Sequence, residues 1–437
     1  MAVSAREVAL LALCACQRQG AWSDGFLKKE LGRSGLDSRD AALATRLCFG
    51  VLQNRMLLDF HLSGLCTVRL EKLELAVLTS LRLGAYQILF LDRVPHRAAV
   101  NESVELARRH ARNPRAAGLV NGVLRSLIRA LPDLKQPEDL AVRYSHPEWL
   151  VKEFVDRLGP DGARALLEAD NGQPPTCVQV NTLIRDVAAV RAALEEEGVA
   201  VEPHPWLPNC LTLTQTGSLE RLESFRAGLF YVQGAAARLA VLAAGAQPGM
   251  AVLDACAAPG GKSFSAAVDM GDRGSILSCD IHPHKQQLIQ AGAQRLGIGS
   301  IRTAMLDAKT RQDDLTGRFD LVIADVPCSG LGIIRKKPDI RYKPPQPLEN
   351  LPAVQSAILR NVAGYVRPGG ALLYATCTLL RRENEEIVHS FLEQEKNFIL
   401  EPFQLPGPVD GSEGMVTLWP HIHGTDGFFF ARLRRRV

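Results

Sequence analysis

Two cysteines stand directly after apolar segments that have the character of buried strands. Cys328 lies in the run Asp325-Val326-Pro327-Cys328-Ser329-Gly330, and Cys377 lies in Tyr374-Ala375-Thr376-Cys377-Thr378. A thiolate is a strong nucleophile, and parallel strands deliver the residues that follow them to one edge of a sheet. The spacing therefore predicts two thiols in one ligand crevice, where a cysteine can bond covalently to a substrate.

A glycine-rich turn follows an earlier predicted strand. The segment reads Leu253-Asp254-Ala255-Cys256-Ala257-Ala258-Pro259-Gly260-Gly261-Lys262-Ser263 and leads into a helical pattern. Paired glycines let a nucleotide-like ligand approach the backbone at the start of a helix. A Walker phosphate loop would need glycine where Cys256 stands, and the dinucleotide fingerprint Gly-x-Gly-x-x-Gly is absent. The turn favours a nucleoside ligand without a pyrophosphate.

Acidic residues follow the next predicted strands. Asp280 ends Ser275–Asp280, Asp307 follows Met305-Leu306, and Asp325 ends Leu321–Asp325. A carboxylate after the second strand can accept both ribose hydroxyls, and one after the third can accept an adenine amino group. Each residue alone is typical of a helix cap or turn. Together, beside the glycine turn, they predict an adenosine ligand.

The paired cysteines favour methyl transfer to a carbon of cytosine. Carbon 5 of this base is a poor nucleophile until a thiolate adds to carbon 6, after which carbon 5 can attack a sulfonium methyl group. Amino-group methylation usually places an Asn/Asp-Pro-Pro-aromatic tetrapeptide at this strand end, whereas here Pro327 is followed by Cys328. Spacing alone does not decide whether Cys328 or Cys377 is the nucleophile.

Three sequence ranges must position these residues. Residues 1–140 show apolar positions three and four apart and predict an all-α domain. Residues 145–233 predict a small α/β domain, and residues 234–437 alternate strands and helices as in a doubly wound, Rossmann-like α/β fold. The strands expected in this last range are Ala251–Asp254, Ser275–Asp280, Leu321–Asp325 and Ala371–Thr376.

The composition is that of a globular protein whose positive charge lies in its first third. Of the 437 residues, 46% are hydrophobic and 22% are charged. Residues 1–140 carry 20 Lys and Arg against 14 Asp and Glu, a net charge of +6, and the remainder carries −2. Arginines cluster in a region that is either a solvated helical face or a phosphate-binding surface. They are Arg93, Arg97, Arg108, Arg109, Arg112, Arg115, Arg125 and Arg129.

The ten cysteines are spread along the chain without zinc-type spacing. This distribution predicts reduced thiols, no metal site and a cytoplasmic location. No apolar run reaches the length of a membrane span, and Glu7 beside Arg6 disfavours a signal peptide over Val8–Cys16. We therefore expect no membrane association.

In these motifs the chain resembles the RNA (cytosine-5)-methyltransferases. Asp-Ala-Cys-Ala-Ala-Pro-Gly-Gly-Lys, Asp-x-Pro-Cys-Ser-Gly and Ala-Thr-Cys match in order, followed by Thr425-Asp426-Gly427-Phe428-Phe429. The helical part, which ends in Leu119-Val120-Asn121-Gly122-Val123-Leu124-Arg125, resembles the RNA-binding NusB fold. The combination is similar to the bacterial Sun/Fmu subgroup, whose members act on small-subunit ribosomal RNA.

The resemblance implies a role for each motif. Cys377 would be the nucleophile, Cys328 would assist product release, and Asp325 would also hold the edge of the base. The expected activity is methylation of carbon 5 of a specific cytosine in 16S rRNA by a monomeric protein. The residues expected to bind S-adenosyl-L-methionine are Cys256, Ala257, Ala258, Pro259, Gly260, Gly261, Lys262, Asp280, Asp307 and Asp325.

Three positions depart from the family pattern. Gln179-Val180-Asn181 replaces Arg-x-Asn, Gln233-Gly234-Ala235-Ala236-Ala237 replaces Gln-Asp-x-x-Ser, and Arg381-Arg382 replaces Pro-Glu. Two alternatives stay open: a transfer RNA substrate, or a noncatalytic RNA-binding factor in ribosome assembly.

Three weaker features point to RNA contacts. We expect Arg335-Lys336-Lys337 to clamp an RNA backbone, Tyr342 to stack on a base or pack locally, and the tail from Arg432 to Arg436 to add nonspecific affinity.

Overall fold

A computed structural model describes residues 3–19, 23–214 and 216–437. The chain packs as unit 1, formed by Met1–Gly172 and Ile334–Lys343, and unit 2, formed by Gln173–Ile333 and Pro344–Val437. The predicted ranges 1–140 and 145–233 include residues 1, 2, 20–22 and 215, which lie outside the described residues. The division of the chain into domains at 1–140, 145–233 and 234–437 stays a prediction.

Unit 1 is built around one helix that is buried on nearly every side. Helix α5 is apolar through most of its turns, and a helix of this kind is stable only inside a core. The neighbouring helices are amphipathic and turn one apolar face toward it. The helices are α1 (Ala5–Gln19), α2 (Ser23–Ser34), α3 (Ser38–Gln53), α4 (Arg55–Ser63), α5 (Leu75–Phe90), α6 (His96–His110), α7 (Ala116–Ala130), α8 (Leu140–Tyr144) and α9 (Glu148–Asp170, broken at Gly159).

The segment Ile334–Lys343 is held in unit 1 by a fully buried arginine. The Nη1 atom of Arg341 donates to the carbonyl oxygens of Gln53 and Tyr144 at 3.1 and 3.2 Å, and to Oδ1 of Asn171 at 2.8 Å. These acceptors lie at the ends of three helices, where carbonyl groups lack helical partners. A single side chain therefore caps several helix ends.

Of the two alternatives expected for Tyr342 in this segment, the structure shows local packing. Tyr342 does not present a free ring, because the guanidinium of Arg55 lies 3.5 Å from its centroid and its hydroxyl donates to the carbonyl of Leu52 at 2.8 Å. The run Arg335-Lys336-Lys337 belongs to the same segment, with Arg335 and Lys336 partly buried and Lys337 exposed, and its contact with RNA stays a prediction.

Unit 2 begins with a small antiparallel sheet. Its strands are β1 (Thr176–Val180), β2 (Ala200–Pro203), β3 (Cys210–Thr214) and β4 (Phe230–Val232), in the order β2-β3-β1-β4, and its helices are α10 (Val187–Glu196) and α11 (Glu223–Arg226). Buried Asn181 donates to the carbonyls of Gly228 and Leu296 at 3.0 and 2.9 Å. This amide joins the small sheet to the rest of unit 2.

The larger sheet of unit 2 is mixed. Five parallel strands adjoin in the order β7-β6-β5-β8-β9, and β14 continues the sheet antiparallel to β9. The strands are β5 (Ala251–Asp254), β6 (Ser275–Asp280), β7 (Ile301–Met305), β8 (Phe319–Asp325), β9 (Val366–Thr376), β10 (Phe398–Leu400), β13 (Met415–Leu418) and β14 (Phe428–Arg435), with a ribbon of β11 (Phe403–Gln404) and β12 (Asp410–Gly411). The helices are α12 (Ala235–Ala244), α13 (Gly261–Asp269), α14 (Pro283–Arg295), α15 (Leu351–Ala363), α16 (Glu385–Gln394) and α17 (Pro420–His423).

The expected parallel strands are found, and the antiparallel edge was not predicted. The arginines expected as a tail lie mainly in β14, which pairs with β9 from Phe429 opposite Thr376 to Arg434 opposite Ala371. Arg434 donates to Glu401 at 2.5 Å and to the Gly369 carbonyl at 2.8 Å. Arg432 and Arg434 are therefore strand residues whose charges are paired with Glu401 within unit 2, and Arg436 follows the end of β14.

No helix in the described ranges combines the length and apolar character needed to span a bilayer.

Candidate active site

The glycine turn connects β5 to α13. It lies at the switch point of the sheet, because β6 and β7 lie on one side of β5 and β8 and β9 lie on the other. Gly260 has φ 107° and caps α13, and a Cβ atom there would lie 2.5 Å from the ring of Phe264. Both the left-handed backbone and the close ring require glycine. The turn from Cys256 to Lys262 therefore lies at the carboxyl edge of β5, beside β8.

The predicted carboxylates follow their strands but have different surroundings. Asp280 is buried at the end of β6, where it accepts the His282 amide at 3.0 Å and lies 3.4 Å from Lys285. Asp307 accepts the amide of Lys309 at 3.0 Å in its own loop. Burial first, and then the charges of Asp254, Asp325 and Asp280, raise the pKa of Cys256. The turn is thus surrounded by carboxylates.

Lys262 links the glycine turn to the end of β8. Its Nζ donates to Oδ2 of Asp325 at 2.5 Å, and it also lies over the ring of Phe428 at 5.2 Å. Burial alone would lower the pKa of Lys262, but the neighbouring carboxylates outweigh burial and raise it. The lysine stays charged, and Asp325 is held as its carboxylate partner.

Asp254 is buried below this ion pair. Its Oδ2 accepts from the Ser263 hydroxyl at 2.7 Å, and Ser263 in turn accepts from Ser278 at 2.7 Å. Burial raises the pKa of Asp254 to about 6 against its ordinary value of 3.8. The hydroxyl chain joins β5, α13 and β6 under the turn.

The two predicted cysteines lie next to each other. The Sγ atoms of Cys328 and Cys377 are 3.3 Å apart, and both side chains are partly accessible. Their strands pair in parallel with Asp325 opposite Ala375, so each chain reaches its cysteine just beyond the same edge. The neighbouring Cys377 sulfur and burial raise the pKa of the Cys328 thiol well above its ordinary value. Ionisation of Cys328 is therefore opposed while the Cys377 sulfur lies beside it.

A buried amide fixes the backbone on both sides of Cys377. Oδ1 of Asn384 accepts from the Thr376 hydroxyl at 2.6 Å, and Nδ2 of Asn384 donates to the Thr378 carbonyl at 2.9 Å. Asn384 is fully buried. The cysteine is thereby held in one backbone conformation.

A buried carboxylate holds the other cysteine loop. Oε2 of Glu383 accepts the Ser329 amide at 2.9 Å and the Gln355 side chain at 2.8 Å, and the hydroxyls of Ser329 and Thr378 are 2.6 Å apart. The loops of Cys328 and Cys377 are therefore joined directly. Glu383, Asn384 and Gln355 were not predicted from the sequence. Glu383 and Asn384 carry a signal as polar residues shortly after the second cysteine motif, whereas Gln355 lies in α15 and carries none.

A close backbone crossing completes the site. The Gly332 amide donates to the Cys377 carbonyl at 2.9 Å, and the Gly332 carbonyl accepts the Gly427 amide at 2.8 Å. A Cβ atom on Gly332 would lie 2.0 Å from the Gly427 carbonyl oxygen. Only glycine fits here, which explains the motif around Gly427 structurally.

No group of three or more His, Cys, Asp or Glu side chains in the described part of the chain is arranged to hold a metal ion.

Comparison with known proteins gives a match over each part of the chain. The model of the family described as 16S rRNA methyltransferase RsmB/F matches residues 241–434, the NusB family matches residues 3–129, and the ferredoxin-like domain of RsmF/B-like methyltransferases matches residues 146–220. The order of these matches is that of the three fold types expected from the sequence. The family resemblance stated from the motifs is confirmed.

Whole-chain relatives agree with these matches. The probable ribosomal RNA small subunit methyltransferase B of Bacillus subtilis is 36% identical over 99% of this chain and 99% of its own length. The ribosomal RNA small subunit methyltransferase B of Klebsiella pneumoniae is 31% identical over 92% of this chain and 91% of its own. The crystal structure of PH0851 covers 99% of this chain and 98% of its own with a TM-score of 0.82, and at 24% identity it compares the fold alone.

Proposed function

Because this chain belongs to the RsmB/F family of 16S rRNA methyltransferases, we propose that it methylates carbon 5 of a specific cytosine in 16S rRNA with S-adenosyl-L-methionine. The observation that carries the proposal is the pair of thiols 3.3 Å apart at the ends of β8 and β9. Methylation of an amino group does not require a covalent bond between a cysteine and the base, so it does not account for two thiols at the ends of these strands.

The residues around the glycine turn fit S-adenosyl-L-methionine. The Asp280 carboxylate, at the end of β6, suits ribose hydroxyls, and Asp307 follows β7 on the adenine side. Ile281 follows β6 and Met305 ends β7, and the exposed apolar side chains of both residues suit contact with a purine ring. The cofactor supplies an electrophilic methyl group, and the turn from Cys256 to Lys262 would hold its methionine end.

In the proposed mechanism, the Cys377 thiolate adds to carbon 6 of the cytosine, which makes carbon 5 nucleophilic. The base becomes bonded through carbon 5 to the methyl group and through carbon 6 to Sγ, and the electron pair of the broken sulfur–methyl bond would stay on the donor sulfur, which leaves as a neutral thioether. Product release then requires a base to take the proton of carbon 5 while the electrons of that bond re-form the C5–C6 double bond and expel the Cys377 thiolate.

Cys328 is suited to take that proton after, and not before, the adduct forms. In the free protein the adjacent Cys377 sulfur is the largest influence raising the pKa of Cys328. Once Cys377 is a neutral thioether it no longer opposes a charge on Cys328, so the Cys328 thiol can ionise by releasing its proton to solvent water. It then accepts the carbon-5 proton and, as a thiol again, donates to the departing Cys377 sulfur.

Asp325 is placed to hold the edge of the base. Its Oδ2 is occupied by Lys262, and Oδ1 makes no hydrogen bond to a residue in the described ranges. That oxygen can accept from the exocyclic amino group of cytosine, which distinguishes cytosine from uracil. The hydrogen bond from Lys262 positions the Asp325 carboxyl group for this contact.

The test is direct chemical analysis of methylated RNA. The full chain is incubated with methyl-labelled S-adenosyl-L-methionine and either 16S rRNA or transfer RNA transcripts, and nuclease digests are analysed by mass spectrometry. We expect 5-methylcytidine at one site in the 16S rRNA. Label in transfer RNA alone, or label on an amino group, would refute the proposal, and absence of cofactor binding by calorimetry would favour a noncatalytic assembly factor.

A further inference from the structure

A buried glutamine joins the small sheet of unit 2 to the glycine turn. Gln233 stands directly after β4 and is buried. Its backbone amide donates to the Cys177 carbonyl at 3.3 Å, and its backbone carbonyl accepts from Nε2 of Gln179 at 3.2 Å. Both contacts are made with β1, so the side chain of Gln233 extends from a backbone that is fixed by the small sheet.

The side chain of Gln233 contacts the start of α13 at two places. Its Nε2 donates to the Gly261 carbonyl at 2.9 Å, and its Oε1 accepts from the Ser265 hydroxyl at 2.6 Å. Gly261 and Ser265 are four residues apart in α13 and therefore lie on the same face of the helix. One amide group thereby spans the first turn of α13.

A chain of hydroxyl groups orients this amide. The hydroxyl oxygens of Tyr231 and Ser265 lie 2.9 Å apart, and both side chains are buried. Burial raises the pKa of Tyr231 to about 12, so the phenol keeps its proton and can donate to Ser265, which in turn donates to Gln233. Because Oε1 of Gln233 serves as the acceptor of this chain, the NH₂ group of the amide faces Gly261.

The start of α13 needs a donor from outside because its own residues supply little support. Glycine adopts a wider range of backbone conformations than any other residue, and Gly260, which caps α13, has no side chain that could hold the helix start. The Gly261 carbonyl and the Lys262 amide belong to one planar peptide group. A donor that holds the carbonyl therefore also sets the direction of the Lys262 amide.

We propose that Gln233 is a positioning residue for the cofactor, because it holds the Gly261–Lys262 peptide group in the orientation that receives the methionine end of S-adenosyl-L-methionine. This inference rests on the proposed function for the identity of the ligand. Amides in the first turn of a helix lack helical acceptors and suit a carboxylate. Without the donor from Gln233, cofactor binding must also order the turn, which weakens affinity and leaves the reacting groups unchanged.

The first test separates cofactor affinity from turnover. Gln233→Met removes the donor to Gly261, Gln233→Asn keeps the amide on a side chain one methylene shorter, and the control Tyr231→Phe removes only the hydroxyl that begins the chain. Binding of S-adenosyl-L-methionine to the full-length protein is measured by calorimetry, and methylation of 16S rRNA is measured at saturating cofactor. Both Gln233 variants should raise the cofactor Kd about tenfold and leave kcat within about threefold. Tyr231→Phe should leave both within about twofold.

The second test measures the glycine turn without any ligand. Hydrogen–deuterium exchange followed by mass spectrometry compares the peptide that covers the turn from Cys256 to Lys262 with a peptide from β9. Both Gln233 variants should exchange faster at the turn, by about threefold or more, and as the wild type does at β9. Tyr231→Phe should match the wild type at both places, because it leaves the donor to Gly261 intact.

The outcomes distinguish this inference from the proposed function. A cofactor Kd in both Gln233 variants equal to that of the wild type would overturn the inference while wild-type methylation continued. Equal losses of affinity and kcat, with faster exchange at β9 as well, would show a general structural role and also overturn it. Failure of the wild type to bind the cofactor would refute the proposed function, and the exchange at the turn would still decide whether Gln233 holds it.

Discussion

The stability of the Asp254→Asn variant, compared with that of the wild type at the same pH, should increase as the pH rises. The carboxyl is fully buried, and burial raises its pKa from 3.8 to about 6. A raised folded-state pKa means that the folded protein binds the proton more tightly than the unfolded chain. The contribution of Asp254 to stability is therefore present below the unfolded pKa and is lost as the pH rises through the folded pKa.

The magnitude follows from the size of the shift. About two pKa units at about 1.4 kcal/mol each correspond to about 3 kcal/mol over the whole titration. Since the unfolded chain is already mostly ionised at about pH 4.5, about 2 kcal/mol of this change falls between about pH 4.5 and about pH 8. Asparagine keeps an acceptor for Ser263 and does not titrate.

The assay is urea denaturation of wild type and Asp254→Asn at both pH values, without cofactor, followed by circular dichroism and tryptophan fluorescence. The difference in unfolding free energy between the two proteins should move by about 2 kcal/mol in favour of asparagine at the higher pH. Any fixed cost of the new amide cancels in this comparison. If the difference in unfolding free energy does not change with pH, the claim that burial raises the pKa of Asp254 is wrong.

Three further changes test the supports of the site and of unit 1. Asn384→Ala removes both hydrogen bonds that flank Cys377, the proposed nucleophile, and should lower kcat at least tenfold while cofactor affinity, measured by calorimetry, stays within about twofold. Equal losses in both would indicate general unfolding. Gly332→Ala should reduce methylation strongly because its Cβ has no room, whereas Gly299→Ala, with its nearest atom 3.5 Å away, should match the wild type. Arg341→Met should lower the unfolding free energy of unit 1 by about 3 kcal/mol or more, because buried carbonyls lose their donor. Tyr342→Phe removes one hydrogen bond and should lower it by about 1 kcal/mol. Similar urea midpoints for the two variants would contradict the capping role of Arg341.

The sequence predicted the thiol pair because each cysteine depends on its own strand. Two adjacent parallel strands bring the residues that follow them to the same edge of the sheet. The register of the strands then sets the exact distance between the two thiols. The same reasoning located the glycine turn and Asp280. The separate surroundings of Asp307 were not predictable, because they depend on how a loop turns after its strand.

The supporting residues could not be predicted because their partners are distant in sequence. Glu383 and Asn384 precede α16 and have the polarity of an ordinary helix start, and their burial depends on the loop of Ser329. Arg341 has the appearance of a solvated loop cation until the ends of α3, α8 and α9 surround it. Likewise, the place of Arg434 in a strand depends on backbone pairing with β9, and its charge is paired with Glu401, which lies 33 residues earlier in the chain.

The most direct test of the account is covalent trapping with the two cysteine variants. Cys328→Ala and Cys377→Ala are each incubated with S-adenosyl-L-methionine and 16S rRNA, and protein–RNA adducts are resolved on denaturing gels and identified by mass spectrometry. The account predicts an accumulated adduct at Cys377 in Cys328→Ala, where release is blocked, and none in Cys377→Ala. An adduct in Cys377→Ala attached to Cys328 would reverse the roles, and wild-type turnover by Cys377→Ala would contradict covalent catalysis by this residue.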